Sequence, residues 1–301
     1  MSEIIEQKEE RLLGLYPDMD FEEYKKAPGM NNSGLKHFRR SPLTYITEKR
    51  NPRPETRDMR VGHAFHCLVF EPEKFSKLYK KSKYPDFRTK EAKAWKEIVT
   101  QQGYTILSYY KSENFWDVCE WDLVHRMAES VREHPFAGVF CDDGMFESSG
   151  FFIDRGDGDM YQGTGRLCKF RMDNYNDAHR CIVDLKSTND ASYSGFQRAC
   201  HKFDYNIQEA FYTGGAASKE LNLDIKNGMF FVVVEKEPPF QCAVYKLDPA
   251  WVRQGAIQIQ NAMLEWDLCK KKDEWPGYGW RNDMPVRDLV MPNYAKFQEI
   301  Y

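Results

Sequence analysis

Three side chains near the middle of this 301-residue chain have types and spacing suited to phosphate chemistry: Asp173, Asp184 and Lys186. Two carboxylates held close repel unless a cation lies between them or one takes up a proton. Oxygen ligands on a strand, with room left for water and phosphate oxygens, suit Mg²⁺. A lysine beside them can orient or deprotonate a water, or neutralise a transition state that gains negative charge. Metal-assisted phosphodiester hydrolysis needs those parts. The competing reading is an exposed hairpin on which Asp184 and Lys186 form a weak surface pair, and the D-x-K tripeptide alone does not decide between them.

The elements that must position these groups read as two strands and two helices. Leu167–Asp173 alternates, with Lys169, Arg171 and Asp173 on one side and Cys168, Phe170 and Met172 on the other; Asn174–Asp177 supplies turn chemistry. Cys181–Lys186 puts Ile182, Asp184 and Lys186 on one face and Val183 and Leu185 on the other. The hairpin register is not legible, so convergence of the two aspartates is an expectation. Val61–Phe70 reads as a mostly buried helix ending before Pro72. Gly62 lies one turn before His66, so the backbone can press close where the imidazole points. A histidine in such a helix is more often a core residue than a ligand. Tyr205–Ala217 forms a further helical stretch with Gln208 and Tyr212 one turn apart, which ordinary packing would also explain. Glu147, opening the strand Phe146–Ile153, is either a further carboxylate for the cluster or a surface glutamate. Lys169, Arg171, Ser187 and Thr188 are candidate DNA contacts, the hydroxyls as phosphate donors or as a cap for the next helix.

Composition sets the frame. Hydrophobic residues make up 42% and charged residues 30%, as in a globular protein, and 43 basic against 46 acidic residues give a formal −3. A nucleic acid would therefore have to meet a local basic lining. The longest apolar run, Met229–Val234, is strand-sized rather than membrane-spanning, and the acidic MSEIIEQKEE is unlike a signal peptide. Eight scattered cysteines without a C-x-x-C pair suggest reduced core thiols in a cytoplasmic protein.

The chain reads as a mobile leader (1–28), a single domain (29–280) and a tail (281–301) packing on the body or a neighbouring subunit. Asn31 and Pro42 open two short helices, with Lys36, Arg39 and Arg40 as a basic edge. Phe75–Tyr110, rich in lysine and aromatics, is either a solvated helix with loops or part of a DNA-facing rim. A helix is expected at about Ser112–His134 with Trp116, Cys119, Leu123 and Met127 in the core. Asp154–Asp159 reads as a solvated acidic turn. Met229–Val234 pairs with Gln241–Lys246. A last helix opens at Asp248-Pro249 and packs through Trp251, Ile257, Ile259, Met263 and Trp266.

Taken in order, G-x-x-x-H (Gly62–His66), a strand-end Asp173, D-x-K (Asp184–Lys186) and Q-x-x-x-Y (Gln208–Tyr212) resemble the PD-(D/E)xK nuclease superfamily. The flanks NNSGLKHFRRSP, RVGHAFHCLVFEPEKF and VDLKSTNDAS are similar to its exonuclease VIII (RecE-type) branch, kin to lambda exonuclease and the RecB nuclease domain. The similarity runs from about Gly29 to Trp280; Met172-Asp173 departs from the Pro-Asp of the superfamily name. It implies an α/β, restriction-endonuclease-like core with a central mixed β-sheet flanked by helices. It also implies two Mg²⁺ ions, with Mn²⁺ as substitute, bound by His66, Asp173, Asp184 and the Leu185 carbonyl. Lys186 would then position or activate the attacking water, and Gln208 and Tyr212 would brace the site or touch DNA. The activity implied is a 5′→3′ exonuclease on linear duplex DNA, leaving 3′ overhangs for a RecT-type annealing protein. Its setting would be a homo-oligomeric ring (trimer or tetramer) in the bacterial cytoplasm, phage-encoded or chromosomal. Alternatives are an endonuclease of restriction or repair type, or a non-catalytic DNA-binding or assembly subunit.

Overall fold

Alternating apolar residues in six segments build one mixed sheet, and the helices between them cover both of its faces. The computed structural model describes residues 12–156, 163–214, 217, 220–278 and 288–291. In chain order the elements are β1 (Gly14–Tyr16), α1 (Phe21–Lys26), α2 (Asn32–Arg40), α3 (Pro42–Arg50), α4 (Arg57–Phe70), α5 (Pro72–Leu78), β2 (Tyr79–Lys81), α6 (Lys90–Gln101) and β3 (Thr105–Leu107). There follow α7 (Glu120–Glu133), α8 (Ala137–Asp142), β4 (Met145–Ile153), β5 (Leu167–Asn176), β6 (Cys181–Thr188), α9 (Tyr193–Phe203), α10 (Tyr205–Thr213), β7 (Met229–Glu235), β8 (Cys242–Lys246) and α11 (Pro249–Lys272). The main sheet runs β1-β4-β5-β6-β7-β8, and β2 and β3 form a separate parallel pair. All neighbours in the main sheet are antiparallel except β6 and β7. Parallel strands need a crossover, and α9 and α10 supply it.

One face of the sheet, through Phe170, Met172, Ile182, Phe231 and Val233, packs on α2, α3, α9, α10 and α11. The other, through Val183, Leu185, Val232 and Val234, packs on α4, α7 and α8. The helix starts are those the sequence marks. The Asn31 side chain accepts the Gly34 N–H at 2.8 Å, and Pro42 and Pro249 occupy first turns, where a missing N–H costs nothing. Gly255 lets α11 lie against α10, because a Cβ there would stand 2.2 Å from the Asn206 carbonyl oxygen.

Three expectations change. Within the span read as a mobile leader, Gly14–Tyr16 pairs with β4 and α1 buries Tyr24, while residues 1–11 lie outside the described residues. The helix expected from Ser112 starts only at Glu120. Before it, the Ser112 and Asn114 side chains accept the N–H groups of Asn114 and Trp116, local bonds that compete with a helix, and Trp116 is exposed rather than core. Ile257 likewise points outward on α11. Residues 157–159 of the acidic turn, and the tail apart from 288–291, lie outside the described residues. Asp154, at the base of that turn, is buried and accepts the Thr164 N–H and hydroxyl at 2.9 and 2.7 Å. The eight cysteines are all free thiols, seven of them buried. Among the described residues no helix is long and apolar enough to cross a membrane.

Candidate active site

The hairpin register, which the sequence leaves open, brings the two aspartates to the same level. Asn176 pairs with Cys181, Tyr175 with Ile182 and Asn174 with Val183, and there the ladder stops. One step further Asp173 would face Asp184. Instead the strands part, and Asp173 Oδ2 accepts the Leu185 N–H at 2.8 Å, taking the place of a backbone carbonyl. Leu185 is thus tied to the site through its N–H.

On one side of this gap, α4 presents His66. Its Nδ1 lies 3.5 Å from Asp173 Oδ2 and 3.8 Å from Glu147 Oε1, and ligand atoms of these three residues all fall within 4.8 Å of one another. Burial disfavours the imidazolium, but the two carboxylates outweigh it and lift the His66 pKa to about 10. Burial also opposes the Asp173 carboxylate, yet His66, Lys186 and the Leu185 N–H hold it below its ordinary range. Glu147 comes from β4 at a backbone φ of +48°, and Arg171 holds it, donating from Nε to its Oε2 at 3.0 Å. Gly62 has open space where a Cβ would project, so it clears room one turn from His66 rather than pressing the helix inward as its spacing suggested.

On the other side, Asp184 is 2% exposed. Gln208 of α10 donates to its Oδ1, and Lys186 Nζ stands 2.5 Å from its Oδ2. Burial pushes the Asp184 carboxyl above its usual range, against Lys186 and with help from the Asp173 charge. Burial opposes the Lys186 ammonium too, but Asp184, Tyr205 and Asp173 together raise its pKa. Lys186 is therefore a fixed positive charge here, suited to stabilising developing negative charge rather than to removing a proton. Its Nζ lies 5.0 Å from the centre of the Tyr205 ring, and Lys36 of α2 lies 5.4 Å from the same ring. Burial first, and then the Lys186 charge, bring Lys36 down to about 8. Lys36, read from sequence only as part of a basic edge, is thus a second ammonium at the cleft.

The other candidates fall into two groups. Tyr212 donates its hydroxyl to the Arg171 carbonyl at 3.0 Å and stacks on Phe170 at 4.8 Å, bracing β5 from behind, just as Gln208 braces Asp184. Both are buried and hold the site rather than face a substrate. Lys169 and Arg171 are not DNA contacts. Lys169 is 4% exposed and donates to the carbonyls of Tyr24 and Ala27 at 2.6 Å, fastening α1 to the sheet. Arg171 spends its guanidinium on Glu147, Ser149 and the Met19 carbonyl. Both point into the layer that α1 covers, which is why alternation mistook them for a free polar face. Ser187 and Thr188 stay half-buried at the end of β6, Thr188 in a turn with Asp190.

One imidazole nitrogen and two carboxylates, arranged so that a proton on His66 now supplies the balancing charge, fit a divalent cation such as Mg²⁺ or Mn²⁺. Glu147 belongs to this set. Asp184, expected as a ligand, has its two oxygens directed at Gln208 and Lys186 and lies beside the set rather than in it.

Known proteins give the arrangement a context. A crystal structure from Eubacterium rectale described as a "putative exonuclease" superposes with a TM-score of 0.55 at 16% identity, over 91% of this chain and 96% of that one. Likeness at that identity is likeness of fold, a restriction-endonuclease-like α/β core with a central mixed sheet between helices. Comparison with curated proteins gives no match. Residues 31–283, most of the chain and every element that builds the cleft except β1 and α1, match one family, and the protein belongs to it: the PDDEXK-like domain of unknown function (DUF3799).

Proposed function

We propose that this protein is a Mg²⁺-dependent deoxyribonuclease that degrades linear duplex DNA 5′→3′ and leaves 3′ single-stranded overhangs. The observation that carries the nuclease reading is the two-sided cleft: a three-ligand cluster (His66, Glu147, Asp173) on one side of the parted strands, and a buried carboxylate–ammonium pair (Asp184, Lys186) on the other. A protein that only bound DNA would have no need to hold these carboxylates together against their repulsion. A divalent ion bound at the cluster would polarise a phosphate oxygen and lower the pKa of a water. The chain's own groups do the rest. Arg171 and the Leu185 N–H fix the orientations of Glu147 and Asp173. Lys186 presents its charge to the phosphorane as it gains negative charge, with Asp184 and Gln208 holding it in place. Lys36 offers a second cation across Tyr205 to a phosphate oxygen.

The finer assignment rests on the resemblance to the RecE-type branch: 5′→3′ polarity, dependence on ends, a second ion, a ring of subunits, a RecT-type annealing partner and a bacterial cytoplasmic setting. A linear duplex labelled at either 5′ or 3′ ends, incubated with Mg²⁺ or with EDTA beside covalently closed circles, tests it. The expected result is Mg²⁺-dependent release of 5′ label first, with circles spared and Lys186→Ala inactive but still binding DNA. Cut circles would indicate an endonuclease instead, and undiminished digestion by Lys186→Ala would remove the mechanism.

A further inference from the structure

The stretch Lys74–Lys111 carries ten basic residues against three acidic ones, in a chain whose formal charge is −3. It folds as a separate unit, the parallel pair β2–β3 with α6 between them, anchored through Phe75, whose ring stacks on Tyr79 at 5.0 Å and meets Trp121 at 5.6 Å. Several cations elsewhere are paired with carboxylates within the fold: Arg39 with Asp204, Arg57 and Arg60 with Glu120, Arg166 with Asp267. In this unit four exposed lysines lie over aromatic rings. Lys80 lies over Tyr104 at 4.6 Å, Lys81 over Tyr109 at 3.4 Å, Lys83 over Tyr84 at 5.8 Å and Lys96 over Phe87 at 5.0 Å. Among the described residues none of these four has a carboxylate within 4.0 Å. An aromatic face steadies an ammonium without cancelling its charge, so the remaining N–H groups stay available to an outside anion. The unit also sits beside the cleft. It is joined to α4, which carries His66, through α5, and Phe75, Tyr79 and Leu107 pack in the same apolar cluster as Ala64, Phe65 and Leu68 of α4.

We propose that the β2–α6–β3 unit is a duplex-docking arm, on which Lys80, Lys81 and Lys83 bind backbone phosphates of DNA lying outside the catalytic cleft. The proposal rests on the nuclease reading for the identity of its ligand. It divides the work: the cleft takes the reacting phosphodiester, and the arm holds the duplex behind it through contacts indifferent to sequence.

The test uses the full-length protein and the variant K80Q/K81Q/K83Q, with K90Q/K93Q/K96Q on the adjoining helix as a second variant should the first fail to fold. Binding is measured in EDTA across a salt series, so it does not depend on turnover. The ligands are a linear duplex long enough to extend well past the cleft and vesicles of anionic lipid. Cleavage with Mg²⁺ is measured on a duplex of only a few base pairs. Three lost phosphate contacts make the plot of log affinity against log salt shallower by about 2.7 and weaken binding at 0.1 M salt by more than tenfold. The expected result is that loss on the long duplex, unchanged cleavage of the short one and no vesicle binding by either protein. Wild-type affinity and salt slope in a folded variant overturn the arm. So does lysine-dependent binding to vesicles with duplex binding unaltered. If the wild type binds the long duplex and the variant does not, while neither cleaves DNA, the arm stands and the nuclease reading falls.

Discussion

Glu209, next to Gln208 on α10, makes a quantitative demand on the fold. It is 3% exposed; its Oε1 accepts the Met229 N–H at 3.2 Å, and its Oε2 is buried without a hydrogen-bond partner. Burial raises its pKa from 4.5 to about 7, against the opposing pull of that N–H and of Lys246. Between those two values the folded state holds a proton that the unfolded chain has released, so stability falls as pH rises. At 1.36 kcal/mol per pH unit the full cost is about 3 kcal/mol, most of which develops between pH 5 and pH 8. Glu209→Gln keeps a carbonyl for the Met229 N–H and removes the titration. Its stability relative to wild type, from urea unfolding monitored by circular dichroism, should therefore improve by about 2–3 kcal/mol between pH 5 and pH 8. Any constant offset from the new amide cancels in that difference. If the two proteins keep the same stability difference across this range, Glu209 is not buried as described, and the packing of α10 on β7 needs revision.

Other substitutions probe the cleft. Gln208→Leu leaves Asp184 Oδ1 without its donor, and kcat on DNA should fall about 10–100-fold with KM little changed. Asp173→Asn keeps an oxygen for the Leu185 N–H but removes a ligand charge, so Mn²⁺ binding by calorimetry should weaken about 10–100-fold at a temperature where circular dichroism shows the variant folded. Lys169→Met strands the carbonyls of Tyr24 and Ala27, so stability should drop by about 2 kcal/mol or more with duplex affinity and its salt dependence unchanged. A shallower salt slope for that variant would restore Lys169 to the DNA surface.

Asp173, Asp184 and Lys186 were legible because a short polar motif interrupts segments that otherwise alternate as strands, and a helical step of four placed Gln208 and Tyr212 on one face. What escaped the sequence depends on contacts across the chain. Lys169 and Arg171 look solvent-facing until α1 is placed over them. The local signal for α1 was present: Asp20 precedes Phe-Glu-Glu, and its carboxylate accepts the Glu22 N–H at 2.8 Å as a helix cap should. Lys36 was visible as a charge, but its approach to Lys186 depends on how α2 packs against α10, which no local pattern encodes.

Glu147 was the hardest to read because it reaches the site through a break in strand regularity. Residues an odd number apart on a regular strand face opposite ways. Yet Met145 and Phe152 of β4 meet the same apolar layer, and so do Met172 and Tyr175 of β5. Each strand therefore slips by one residue in between. The slips fall at facing positions, Glu147 and Asp173, between the paired Phe146–Asn174 and Ser148–Met172. Asp173 keeps the alternation that sets it opposite Met172, on the side that α4 covers, and Glu147 comes to that same side as Phe146 rather than opposite it. The paired slip leaves both carboxylates on the α4 side, where His66 meets them, while the hydrophobic residues before and after still reach their layers. The positive φ at Glu147 is the local conformational cost of that arrangement, about 1–3 kcal/mol for a residue other than glycine, and it falls on the residue whose carboxylate completes the metal-ligand set.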